Sequence, residues 1–151
     1  MGINVVRTLD VGLCLSVINE PSIWEVISED TATLENNIPD VVNEFWLAIY
    51  SDDDLIGVCR YHQKWKNTIQ GHIQILPKYR KDHSVEAGHA LIDWVKNNTD
   101  YSIIYTEVPS IYSNVIEFLK GFGYTEDGLI KDCYTKDQKT SDIIILTKKI
   151  R

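Results

Sequence analysis

Thr68-Ile69-Gln70-Gly71-His72-Ile73-Gln74-Ile75-Leu76-Pro77-Lys78-Tyr79-Arg80-Lys81-Asp82-His83-Ser84 is the stretch whose reading decides the fold. Thr68 to Ile75 reads as a strand, Leu76-Pro77 closes it, and Lys78 to Lys81 reads as a basic turn. From Ser84 the period lengthens. Val85, Ala87, Ala90, Leu91, Trp94 and Val95 recur at helical spacing, and Asn97-Asn98 stop the helix. A strand, a cationic loop and an open helix N-terminus in that order build an anion site. The first helical turn leaves backbone N–H groups unpaired and its dipole favours negative charge, so phosphate is the natural occupant. The plainer reading of the same cations is a solvated loop.

Downstream, Ser102 to Val108 is another apolar run, and a helix signal from Ser110 carries Ile111, Val115, Phe118, Leu119 and Phe122. It ends in Gly121-Phe122-Gly123-Tyr124, followed by Thr125-Glu126-Asp127-Gly128. Gly128 to Tyr134 and Asp142 to Lys148 read as a closing hairpin around Asp137-Gln138-Lys139. Upstream lie strands at Phe45–Tyr50 and Leu55–Gln63, joined by Ser51 to Asp54, with Lys64 to Asn67 turning into Thr68. Before them come a short strand at Asn4–Leu9, a helix capped by Asp10, a second helix opening at Pro21-Ser22, and a loop at Asn36–Asp40. No repeat, low-complexity tract or linker divides the chain, so residues 1–151 read as one domain.

The order strand, Pro, basic loop, helix, strand, helix, Gly-aromatic, acidic-Gly resembles the GNAT superfamily of acetyl-CoA-dependent N-acetyltransferases. His72-Ile73-Gln74-Ile75-Leu76-Pro77-Lys78-Tyr79-Arg80 is most similar to divergent members encoded by bacteriophages. The resemblance runs from about Phe45 to the C-terminus. It implies an α/β (α+β) fold: a central mixed, mostly antiparallel sheet of about seven strands, splayed in the middle and flanked by about four helices, as the element inventory also suggests. It further implies acetyl-CoA as co-substrate, direct transfer to a small-molecule or protein amine, and no metal or covalent enzyme intermediate. The alternative is a GNAT-fold protein without catalysis, acting as a virion component or on a host protein. A homodimer is compatible with either.

Composition narrows the classes further. Of 151 residues, 44% are hydrophobic and 25% charged, which is ordinary for a globular chain, and the net charge of −7 argues against general nucleic-acid or anionic-membrane binding. Any anionic cofactor therefore needs a local basic site. Cys14, Cys59 and Cys133 show neither C-x-x-C spacing nor an even count, which fits a reducing cytoplasm, the host's if a phage encodes the chain, and gives no zinc or disulfide framework. No run reaches membrane-span length, and Met1-Gly2-Ile3-Asn4 lacks signal-peptide character.

The resemblance places the acyl-CoA pyrophosphate on the loop from Arg80, with Arg80, Lys81, His83 and Ser84 as its contacts. Gln74, Ile75 and Leu76 then lie along the pantetheine arm. The two glycines of the familiar Arg/Gln-x-x-Gly-x-Gly/Ala pattern are absent here, which removes the residues best suited to close backbone approach, and Asp82 repels phosphate. Thr68, Gln70, His72 and Gln74 form a polar row that should face a cleft. A tight hairpin through Trp65-Lys66 sets Tyr61 opposite Gln70 and Cys59 opposite His72; a slip of one residue presents Arg60 and His62 instead. His72, titrating near neutrality, is the first candidate base, and Glu107 at the end of the next strand is the second. Counting back from Gly123, Tyr112 takes the place of the usual Asn at the strand-to-helix junction. Leu119 takes the place of the Tyr that protonates the leaving thiolate, and cannot donate a proton. Tyr112 is left to lie along the CoA arm or donate its hydroxyl. The four tryptophans read as packing or cleft-lining residues.

Overall fold

The structure, a computed structural model, describes residues 2–29 and 38–151, so Asn36 and Asn37 of the expected loop lie outside the described residues. The elements run β1 (Ile3–Arg7), α1 (Val11–Ile18), α2 (Pro21–Ile27), β2 (Phe45–Ser51), β3 (Asp54–Trp65), β4 (Thr68–Ile75), α3 (Pro77–Asn98), β5 (Ile103–Pro109), α4 (Ser113–Gly121), β6 (Thr125–Lys136) and β7 (Lys139–Lys149). The strands form one sheet in the order β1-β2-β3-β4-β5-β7-β6, antiparallel throughout except between β4 and β5. The mixed fold, its strand and helix inventory and the splayed centre are those expected.

Two cores cover the two faces of the sheet. On one face, α1 and α2 bury Cys14, Val17, Ile18 and Ile23 against Trp46 and Val58. On the other, Ala87, Leu91 and Val95 of α3 and Ile116 and Leu119 of α4 pack on Leu47, Cys59, Tyr61, Ile69 and Ile104. The caps of the first pair follow from sequence: the Leu13 N–H donates to Asp10 Oδ1 at 3.0 Å, and Pro21 opens α2, where its missing N–H costs nothing.

The basic loop before α3 is the main correction. Lys78 to Lys81 are helical, and α3 begins at Pro77 rather than near Ser84. Leu76, at φ −57° and ψ 136°, turns the chain out of β4, and Pro77 has the fixed φ that a first helical residue needs. No glycine then interrupts the helix before Gly88, so the amides that a glycine-rich loop would present to an anion are bonded within α3. α4 likewise starts three residues later than Ser110. The Ser110 hydroxyl instead accepts the Asp142 N–H at 3.2 Å, holding the end of β5 to β7.

The β3–β4 hairpin adopts the slipped register. A shift between Gln63 and Trp65 sets Arg60 opposite His72, Tyr61 opposite Gly71 and His62 opposite Gln70. Arg60, His62, His72 and Gln74 therefore share the α1–α2 face, while Tyr61 turns to the α3 side and covers Gly71. The β4–β5 ladder has three rungs, Thr68–Ile103, Ile69–Ile104 and Gln70–Tyr105, after which the strands separate.

Candidate functional site

Between α1–α2 and the sheet lies a cavity of about 380 Å³. Ile18, Trp24, Ile27 and Val58 give it apolar walls, and Glu44, Trp46, Arg60, His72 and Gln74 supply its polar atoms. The sheet brings these together because Trp46, Arg60 and His72 sit in register across β2, β3 and β4.

Glu44 and Arg60 form a two-point ion pair: Arg60 Nε donates to Oε1 at 2.9 Å and Nη2 to Oε2 at 2.6 Å. Burial pushes the Glu44 carboxyl up, but the Arg60 guanidinium outweighs it and leaves the acid below its usual range. His72 is pushed down to about 4, first by burial and then by the charges of Arg60 and His62. It is neutral at physiological pH. Its Nε2 lies 3.2 Å from Nε2 of His62, with the rings nearly parallel, so one nitrogen carries the shared proton and the other accepts it.

The gap between β4 and β5 borders the same strand. Where the ladder stops, Thr106 Oγ1 donates to the Gly71 carbonyl at 3.1 Å, and Arg80 Nε donates to the Ile75 carbonyl at 2.9 Å. Leu76, by contrast, sends its N–H to Ile56 on β3. Strand alternation therefore aims the N–H and C=O of Ile73, between Gly71 and Ile75, into the gap. These groups suit the amides of an extended arm. Lys78, Arg80 and Lys81 crowd the first turn of α3, where no acidic residue balances the helix dipole. That turn offers few amides, since Pro77 has no N–H and Tyr79 donates to Leu76 O at 2.9 Å. The fit is thus to an anion held by side chains. His83 and Ser84 follow on the same helix, half-buried, with His83 against the ring of Tyr79.

Of the other candidates, Glu107 lies on the face that carries His72, because Tyr105 stands opposite Gln70. Its Oε2 accepts the Tyr105 hydroxyl at 2.8 Å, and burial together with this bond pushes Tyr105 up to about 12. Tyr112 is the residue before α4 and packs against the main core, and it is not one of the residues that line the cavity. Leu119 is buried in that core. Trp24 and Trp46 line the cavity, Trp94 packs on Phe45 and Tyr61, and Trp65 is exposed at the hairpin with its edge to Tyr105. Glu44 escaped the sequence reading. Its one signal is an acid directly before the apolar strand Phe45–Tyr50, and its partner lies 16 residues away across a turn.

Residues 17–145 match a family model described as an acetyltransferase (GNAT) domain. No curated protein sequence matches the chain. In three dimensions it is similar to spermidine N-acetyltransferase from Vibrio cholerae, solved with CoA and spermine, with a TM-score of 0.80 and 13% identity over 97% of this chain and 95% of that one. It is also similar to the ribosomal-protein-S18-alanine N-acetyltransferase from Escherichia coli, with a TM-score of 0.73 and 14% identity over 98% and 94% of the two chains. An N-acetyltransferase from Staphylococcus aureus Mu50 gives 0.74 and 13% over the full length of both. Identities this low show the fold.

Proposed function

Since the chain belongs to the GNAT acetyltransferase family, we propose that residues 1–151 act as one catalytic domain that moves the acetyl group of acetyl-CoA directly to an amine held in the α1–α2 cavity. One observation carries this reading: His72 and Gln74 face the cavity from the same strand whose edge opens, at Ile73, into the β4–β5 gap. An amine on one side of β4 and a thioester along its edge then meet without a covalent enzyme intermediate.

Acetyl-CoA supplies the activated acyl group, and the chain's residues hold and orient it. The backbone of Ile73 pairs with the pantetheine arm, and Gln74, Ile75 and Leu76 flank it. Arg80 and Lys81, with His83 and Ser84 behind them, hold the pyrophosphate through side chains in place of the missing glycine cradle. The amine nitrogen attacks the thioester carbon, the C–S bond breaks, and the ammonium proton is taken by His72. So weak a base does not retain the proton; His62, 3.2 Å away and less buried, passes it towards solvent. Glu107, bridged to Tyr105, is the second base on that face. Leu119 leaves the departing thiolate to be protonated by water, and Tyr112 serves the junction of β5 and α4 rather than the chemistry.

The test is incubation with acetyl-CoA and a panel of amines, read by thiol release and mass spectrometry. Acetylated amine with stoichiometric CoA supports the reading. Failure to bind acetyl-CoA in calorimetry overturns it and favours a GNAT fold used for binding alone, in a virion or against a host protein.

A further inference from the structure

The cavity's hydrogen-bonding capacity points to the class of acceptor. Trp46 is 6% exposed and lines the cavity; its Nε1 makes no hydrogen bond of normal geometry among the described residues, although the indole lies near enough to Glu44 to help hold that carboxyl low. A buried indole N–H is a donor only, so whatever completes it brings an acceptor atom. Arg60 adds more donors. Its Nε and Nη2 are engaged by Glu44, which among the described residues leaves Nη1 and one hydrogen of Nη2 available beside Trp46 in the facing strand. Both oxygens of Glu44, the carboxylate that faces the cavity, are already held by that guanidinium. The pair is neutral as a unit, and His72 is uncharged beside it. Among the described residues that line the cavity, a polycation finds no free carboxylate, whereas a carboxylate finds two donors with capacity. Ile18, Trp24, Ile27 and Val58 supply an apolar surface for the rest of the molecule, in a volume suited to a small ligand.

We propose that the acceptor is a compact amino carboxylate, an α-amino acid or close analogue with an apolar side chain. Its carboxylate sits on Trp46 Nε1 and Arg60, its side chain lies against Trp24 and Ile27, and its amino group is directed to His72 and the edge of β4. This rests on the acetyl-transfer reading above.

Purified protein is assayed with acetyl-CoA against leucine, phenylalanine and methionine, the corresponding amino amides, spermidine, and a short peptide with a free N-terminus. Binding of the same amines is followed by calorimetry, which needs no turnover. The proposal expects at least one of the three amino acids to bind and be N-acetylated, with its amide at least about tenfold lower in kcat/KM, because the amide replaces a charged acceptor with a neutral one. It expects Trp46→Phe to raise KM for the amino acid about fivefold or more while kcat and acetyl-CoA affinity stay near wild type. Amides handled as well as acids, preference for spermidine or the peptide, or amino acids that neither bind nor react would each overturn the amino-carboxylate assignment. Acetylation of any other amine would leave the transfer reading intact, whereas loss of acetyl-CoA binding and of all turnover removes that reading itself.

Discussion

Nε2 of His62 and Nε2 of His72 face each other at 3.2 Å across the β3–β4 hairpin, and both imidazoles are held below their ordinary pKa, first by burial and then by Arg60. A histidine depressed in the folded state binds its proton more readily when unfolded. Stability is therefore full above the ordinary histidine value of about 6.5 and is lost as pH falls towards about 4. Urea midpoints should drop between pH 7 and pH 5, and His72→Gln should flatten that drop. A midpoint equally pH-dependent in the variant would remove His72 as its source.

Turnover should separate the two candidate bases. His72→Ala is expected to lower kcat by about 10²–10⁴-fold with acetyl-CoA affinity unchanged, since the imidazole faces the acceptor cavity. Glu107→Gln is expected to cost less than about tenfold, because Glu107 is engaged with Tyr105. The reverse ranking in steady-state kinetics would exchange their roles.

Side chains standing in for a backbone cradle should make CoA binding sensitive to salt and to single cations. Arg80→Ala should weaken binding by about 1–3 kcal/mol in calorimetry, and affinity should fall steeply as NaCl rises from low to physiological concentration. Affinity indifferent to both would mean that the phosphates lie away from the first turn of α3.

Two glycines test the packing around the site. A Cβ on Gly71 would lie 2.5 Å from Cε1 of Tyr61, whose ring is fully buried, and one on Gly88 would lie 2.4 Å from Cζ of the half-buried Phe122. Gly71→Ala should destabilise by about 2–3 kcal/mol and Gly88→Ala by about 1–2 kcal/mol, because Phe122 has more room to yield. Thermal or urea unfolding of the pair gives the ranking.

Local chemistry was legible in the sequence, and the long-range pairing was not. Asp10 as a cap, Pro21 as a helix start and the polar row on β4 all follow from adjacent residues. Pro77 misled because a proline ends a strand as readily as it opens a helix, and with no glycine after it the helix won. The meeting of Glu44, Arg60 and His72 depended on a register shift between Gln63 and Trp65, which moves one polar row from face to face and leaves no compositional trace. The register that presents Arg60 was legible only as one of two.

The three-rung pairing of β4 with β5 also makes this sheet a hinge-line in its own right. Among the described residues, one block, β1 to β4, is tied to the other, β5 to β7, along this seam by those rungs, by the Asn67 carbonyl that accepts the Ser102 and Ile103 N–H groups, and by the Thr106 hydroxyl on the Gly71 carbonyl. An extended ligand in the gap would take the part of a missing strand, extending the main-chain bonding between the blocks. Amide exchange at Ile73 would then slow on ligation together with exchange across β5, and the protein would unfold more cooperatively with its co-substrate than without it.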